Sequence, residues 1–95
     1  DSVFAGADYV IKGVAGAILW KLVRAHIASG ATEFTNRELR LSPELRLPSH
    51  AENLEARLVL LERRLREKAL PIQMEKAGRG RFRLVVGARL TLLDD

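Results

Sequence analysis

Three arginines near the C-terminal end of the sequence alternate with apolar residues. Residues 78–86 read GRGRFRLVV. Because successive side chains of a β-strand point to opposite faces, Phe82, Leu84 and Val86 would line a core face while Arg81 and Arg83 point into water. Guanidinium groups displayed in this way can bind phosphates by charge and by paired hydrogen bonds. The alternative is a solvated sheet edge, whose charges only prevent strand association.

The residues before this strand extend its positive charge. Gly78 and Gly80 permit a tight turn, which would place Arg79 at the tip of a β-hairpin. We expect the hairpin to contact the DNA backbone or a narrow minor groove through its cations, which are Lys76, Arg79, Arg81 and Arg83.

A second group of polar residues follows helical spacing in NLEARLVLLERR, residues 53–64. Asn53 and Arg57 are four residues apart and therefore share one face of a helix. Asparagine reads adenine and arginine reads guanine by two hydrogen bonds each, worth about 1 to 3 kcal/mol of discrimination. The alternative is an ordinary solvated charged face.

The charge is unevenly distributed. The chain of 95 residues has a net charge of +4 and a pI of about 10.1. Residues 1–34 carry three acids and three cations, whereas residues 76–89 carry five cations and no acid. Such clustering is typical of a protein that binds a polyanion.

The sequence lacks the residues that disulfides, metal sites, nucleotide-binding loops or a membrane span would need. The sequence has no cysteine, which excludes disulfides and thiolate metal sites and fits a reducing, cytoplasmic compartment. No metal-binding His-Glu-x-x-His motif is present, and GRG is too short for a nucleotide-binding loop. Lys12, Lys21 and Arg24 interrupt the apolar segment at residues 10–28, so we expect no membrane span. We therefore expect no metal, no cofactor and no enzymatic activity.

The first half of the chain contains signals for one long and one short helix. Apolar residues recur at intervals of three and four from Gly13, and Gly30 is a suitable residue to end this helix. Val10 and Ile11 form a short strand or lead into the helix, and residues 33–34 form a short strand. Thr35 with Glu38 makes a capping box that opens a second helix to about residue 41.

The second half contains a longer helix and the basic hairpin. Ser49 with Glu52 makes another capping box, and leucines at 54, 58, 61 and 65 form an apolar stripe. This helix should run from about residue 50 to 69, before Pro71. A hairpin over residues 72–86 follows, and ARLTLL, residues 88–93, would add a last strand. We therefore predict an α+β fold of the winged helix-turn-helix class: three helices followed by a β-hairpin wing, with short extra strands.

Three segments resemble one known family. GRGRFRLVV is similar to the C-terminal hairpin of the OmpR/PhoB-type response-regulator effector domain, NLEARLVLLERRLREK to its third helix, and FTNRELRL to its short second helix. The resemblance covers about residues 13–86. It implies sequence-specific binding of double-stranded DNA, with the third helix in the major groove and the wing at the adjoining minor groove. The outward residues of that helix would be His50, Asn53, Arg57, Leu60 and Arg64, and the wing residues Arg79 and Arg81.

The chain also departs from that family in its third helix. Val59 and Leu60 occupy positions where the family commonly has basic residues, and Glu62 follows closely. Our first hypothesis is a DNA-binding domain of a transcriptional regulator, with residues 1–95 forming a single domain that is a piece of a larger protein. Its other partners would be a second copy or a sensory domain. The alternative is a winged-helix module that binds a protein or dimerises through Val59 and Leu60.

Overall fold

Two short strands precede the first helix in the computed structural model, which describes residues 2–5, 8–45 and 52–88, with side chains for 9–43, 45 and 54–88. Strand β1 (Ser2–Ala5) pairs antiparallel with β2 (Asp8–Lys12). The predicted strand at Val10 and Ile11 is confirmed by β2. Strand β1 is not among the elements located from the sequence.

The first helix, α1 (Gly13–Ser29), ends as the sequence predicts. Gly30 adopts a left-handed conformation with φ of 75°, which glycine tolerates because it lacks a Cβ atom. Its amide donates a hydrogen bond to the carbonyl oxygen of His26 at 2.7 Å. The Nδ1 atom of His26 in turn donates to the carbonyl oxygen of Ala31 at 3.0 Å, so this histidine holds the chain that leaves the helix.

A short strand and a short helix follow α1. Strand β3 (Glu33–Thr35) leads directly into α2 (Asn36–Arg40), as predicted. The hydroxyl oxygen of Thr35 accepts a hydrogen bond from the amide of Glu38 at 3.1 Å and so satisfies one of the free N–H groups at the start of the helix. A single turn of 3-10 helix at Pro43–Leu45 comes next.

The long helix, α3 (Glu52–Glu67), buries the predicted leucine stripe at positions 54, 58, 61 and 65. It ends two residues before the predicted residue 69, because Ala69 adopts a left-handed φ of 50° and the amide of Leu70 turns back to the carbonyl oxygen of Leu65. The side-chain amide of Gln73 also donates to that oxygen at 3.1 Å. Ser49, of the predicted capping box, lies outside the described residues.

The hairpin forms as predicted and lies in a three-stranded antiparallel sheet. Strands β4 (Ile72–Gly78) and β5 (Arg81–Val86) are antiparallel neighbours, and β3 pairs with the other edge of β5, which gives the order β3-β5-β4. Phe82 and Leu84 are buried whereas Arg81 and Arg83 are exposed, so the predicted alternation is confirmed. The predicted last strand at residues 88–93 falls almost entirely outside the described residues.

One apolar core joins the helices to the sheet. Leu22 of α1, Leu61 of α3 and Leu84 of β5 are all within this core and are 1% exposed or less. The described part of the chain is thus an α+β fold of three α-helices and a three-stranded antiparallel sheet, preceded by the β1–β2 hairpin.

Candidate functional site

The turn between β4 and β5 displays two of the predicted cations. Gly78 and Gly80 have φ angles of 144° and 67°, which residues other than glycine rarely adopt. These angles allow the chain to reverse over Arg79 and Gly80, and the side chains of Arg79 and Arg81 are exposed on either side of Gly80.

The first turn of α2 is fastened to this hairpin turn. Thr35 lies opposite Arg81 in the pairing of β3 with β5. The main-chain amide of Asn36 then donates a hydrogen bond to the carbonyl oxygen of Gly80 at 2.9 Å. The short helix therefore starts beside the tip of the hairpin, although nearly half the chain separates them in sequence.

This contact creates a groove with four arginines along its walls, which we call the arginine groove. Arg37 and Arg40 contribute from α2, and Arg79 and Arg81 contribute from the hairpin. All four side chains are exposed, and none forms an ion pair with another described residue. Unpaired guanidinium groups gathered in one concave surface favour a ligand that carries several negative charges, such as a chain of phosphates.

Arg37 and Arg40 are not among the site residues predicted from the sequence. A signal for them was present, since they are three residues apart and flank Leu39, whose burial turns both arginines to the outside of α2. Their approach to the hairpin tip could not be seen in the sequence, because it depends on the pairing of β3 with β5.

A glutamate of α3 also lines the arginine groove. The Oε1 atom of Glu55 accepts a hydrogen bond from the side-chain amide of Asn36 at 2.5 Å. Asn36 is only 5% exposed, and its side chain therefore needs a partner within the protein. Asn36 joins three elements: its main chain contacts the hairpin turn, and its side chain contacts α3.

Arg83, also a predicted DNA contact, differs from these four arginines because acidic residues lie beside it in the sheet. It lies in the middle of the sheet, opposite Glu33 on β3 and Glu75 on β4. Its guanidinium nitrogens lie 4.0 Å from a carboxylate oxygen of Glu33 and 3.9 Å from one of Glu75. Two carboxylates thus compensate this charge. Lys76 is exposed and lines a second groove between α3 and β4, next to the arginine groove.

Arg64 and Arg57 of α3 are partly buried, whereas the sequence predicts that both lie on a fully solvent-exposed face. The Nε atom of Arg64 donates a hydrogen bond to the carbonyl oxygen of Val10 at 2.7 Å, and its guanidinium group lies 5.8 Å from the ring centre of Tyr9. Arg64 thereby ties α3 to β2. Arg57 is partly buried, and its Nε atom is shielded from solvent without a hydrogen-bond partner among the described residues. Both side chains turn toward the protein because they flank the buried leucine stripe.

Leu60 is exposed, as predicted, and Val59 is exposed beside it. Their exposed fractions are 49% and 52%. Val59 lines the groove between α3 and β4, together with Met74 and Phe82. Glu62 and Arg66, four residues apart on α3, form an ion pair at 3.5 Å. His50 lies outside the described residues, and the structure describes only the main chain of Asn53.

The part of the chain that the structure describes has neither a metal-ligand cluster nor a membrane-spanning helix. No group of three or more His, Cys, Asp or Glu side chains is placed to hold a metal ion. Among the helices described, none has the length and apolar character needed to cross a membrane.

Comparisons with protein-family models, with curated proteins and with solved structures found no match.

Proposed function

We propose that this protein is a DNA-binding domain of a transcriptional regulator, built as a winged helix-turn-helix. The arginine groove is the observation that carries the proposal, since its four unpaired cations converge from two separate elements. The helix and strand order α1-β3-α2-α3-β4-β5, with sheet order β3-β5-β4, is compatible with that class. In this proposal the β4–β5 hairpin is the wing.

In the proposed mechanism, the arginine groove binds the DNA backbone and α3 contacts the bases. Arginines 37, 40, 79 and 81 bind backbone phosphates and so set the position of the duplex without reading its sequence. The third helix enters the major groove, where His50, Asn53 and Leu60 contact base edges. Leu60 can contact the methyl group of a thymine. The role is one of binding, without catalysis, and a regulator of this kind acts in the cytoplasm.

A salt titration tests the proposal. The affinity for a short mixed-sequence duplex is measured between about 50 and 200 mM salt, where log K should fall with a slope of about −0.9 per phosphate contacted. Replacing Arg81 with glutamine should weaken binding to all duplexes alike and reduce the slope by about one unit.

Arg83→Gln is the matched control. It removes the same charge from the same face of β5, two residues away, but Arg83 is already compensated by Glu33 and Glu75. We expect it to change the affinity much less than Arg81→Gln does. Equal effects of the two substitutions, or a parent domain that does not bind duplex DNA, would contradict the proposal.

One observation favours the alternative function of a protein-binding module. Val59 and Leu60 expose about half of their side chains in the middle of α3. An apolar pair at this place is suited to the centre of a protein interface, whose core is depleted in charge. Binding through these residues should be nearly insensitive to salt, and this separates it from binding through the arginine groove.

A further inference from the structure

Glu55 is the only acidic residue that lines the arginine groove among the residues described. Its side chain is exposed, and one carboxylate oxygen is held by the amide of Asn36. A negative charge beside four guanidinium groups lowers the local positive potential and repels any phosphate that enters. The position of this charge is fixed, because the buried Asn36 is itself fastened to the hairpin turn.

The fold requires the hydrogen bond but not the charge. The buried amide of Asn36 needs an acceptor, and the neutral carbonyl oxygen of a glutamine at position 55 would provide one equally well. Position 55 therefore carries, in the wall of a cationic groove, a charge that the hydrogen bond with Asn36 does not need.

We propose that Glu55 determines specificity by penalising phosphate contacts that are made without a matching base edge. This inference rests on the proposed DNA-binding function. The carboxylate repels every phosphate chain alike, but it can accept a hydrogen bond from an amino group such as N4 of cytosine. Duplexes that place such a donor opposite Glu55 recover the lost affinity, whereas other duplexes do not. Glu55 thus weakens non-specific binding more than specific binding.

The test compares Glu55→Gln with Glu67→Gln, which removes the same charge from the same helix. Glu67 is exposed, pairs with Arg64 and does not line the groove. Two probes are used: a mixed-sequence duplex, and a duplex enriched from a random pool on the parent domain. At low salt, Glu55→Gln should tighten binding to the mixed duplex about tenfold, since one close charge is removed. The preference for the enriched duplex should fall, and Glu67→Gln should change either affinity less than about twofold.

A second variant tests whether the affinity change in Glu55→Gln could come from altered folding and not from the loss of charge. The double substitution Asn36→Asp with Glu55→Gln reverses the direction of the hydrogen bond, because the glutamine amide can now donate to the aspartate. It keeps both the net charge and a carboxylate in the groove, so it should bind the mixed duplex as the parent does. An affinity gain in this double variant equal to that of Glu55→Gln would overturn the proposal.

The outcomes separate this inference from the proposed function. If Arg81→Gln weakens binding but Glu55→Gln behaves like Glu67→Gln, the role of Glu55 is wrong and DNA binding stands. A weaker affinity of Glu55→Gln also contradicts that role. If Arg81→Gln and Arg83→Gln bind alike, the proposed function itself fails.

Discussion

The main-chain amide of Asn36 donates a hydrogen bond to the carbonyl oxygen of Gly80, with 2.9 Å between nitrogen and oxygen. This bond joins the start of α2 to the tip of the β4–β5 hairpin, and it brings Arg37 close to Arg79 in the arginine groove. Gly80, whose carbonyl oxygen accepts this hydrogen bond, has a left-handed φ of 67°.

Gly80→Ala should destabilise the protein and weaken duplex binding together. The φ of 67° at Gly80 is a left-handed conformation, which costs a residue with a Cβ atom about 1 to 2 kcal/mol. We expect the melting temperature to fall by roughly 4 to 8 °C for each kcal/mol.

Gly87→Ala is the control for this substitution. An added Cβ at Gly87 would meet the carbonyl oxygen of Pro71 at 3.7 Å, an ordinary contact, and φ there is not in the left-handed region. Its melting temperature should match that of the parent. A Gly80→Ala protein as stable as Gly87→Ala would show that the turn tolerates a side chain.

Ala69→Gly should stabilise the protein. Ala69, two residues after the last residue of α3, has a φ of 50°, at a position where glycine is preferred. Relief of this strain should raise the free energy of unfolding by about 0.5 to 1 kcal/mol, measured by urea denaturation. Ala56→Gly, in the exposed middle of α3, should instead lower it by about 1 kcal/mol. The expectation for residue 69 is wrong if both variants are destabilised.

Phe82→Ala should damage folding more than binding. Phe82 is 6% exposed and stacks on Phe34 of β3, with 5.8 Å between the ring centres. Its truncation should cost about 3 to 5 kcal/mol. A double-mutant cycle with Phe34→Ala should give a coupling of about 0.5 to 1.5 kcal/mol. Val85→Ala, on the exposed face of β5, should have little effect on unfolding.

Leu60→Lys should leave the fold intact, since about half of the Leu60 side chain is exposed. The next residue gives the control: Leu61 is 0% exposed, and Leu61→Lys should unfold the domain because it buries a charge. If Leu60 meets DNA, Leu60→Lys should alter which bases are preferred in a random-pool selection. If it meets a protein, self-association or partner capture should drop while DNA affinity stays or rises. Unfolding of Leu60→Lys would place Leu60 in the core.

Arg64→Lys should reduce stability without a comparable loss of duplex affinity. Lysine keeps the charge, but it has no Nε–H group to reach the carbonyl oxygen of Val10. The loss of this hydrogen bond should cost about 1 kcal/mol in the free energy of unfolding. Arg63→Lys, at an exposed neighbouring position, is the control and should be neutral. A large affinity loss in Arg64→Lys at unchanged stability would restore Arg64 as a direct DNA contact.

Local rules were sufficient to predict most of the elements. The end of α1 at Gly30, the cap of α2 by Thr35 and the alternation along β5 are each determined by residues within a few positions of one another. Backbone sterics and the two-residue period of a strand act over the same short range. For that reason the exposure of Arg81 and the burial of Phe82 could be predicted directly from the sequence.

The composition of the arginine groove was decided only by the tertiary structure. Arg37 joins Arg81 because β3 pairs with β5, and Arg83 is compensated because the same pairing places Glu33 beside it. Arg64 bonds to the carbonyl oxygen of Val10, 54 residues earlier in the chain. Such contacts follow from the packing of the whole core, since a charge is free or paired according to which distant strand or helix lies next to it. The sequence by itself determined where positive charge accumulates, and the fold decided which of those charges remain unpaired.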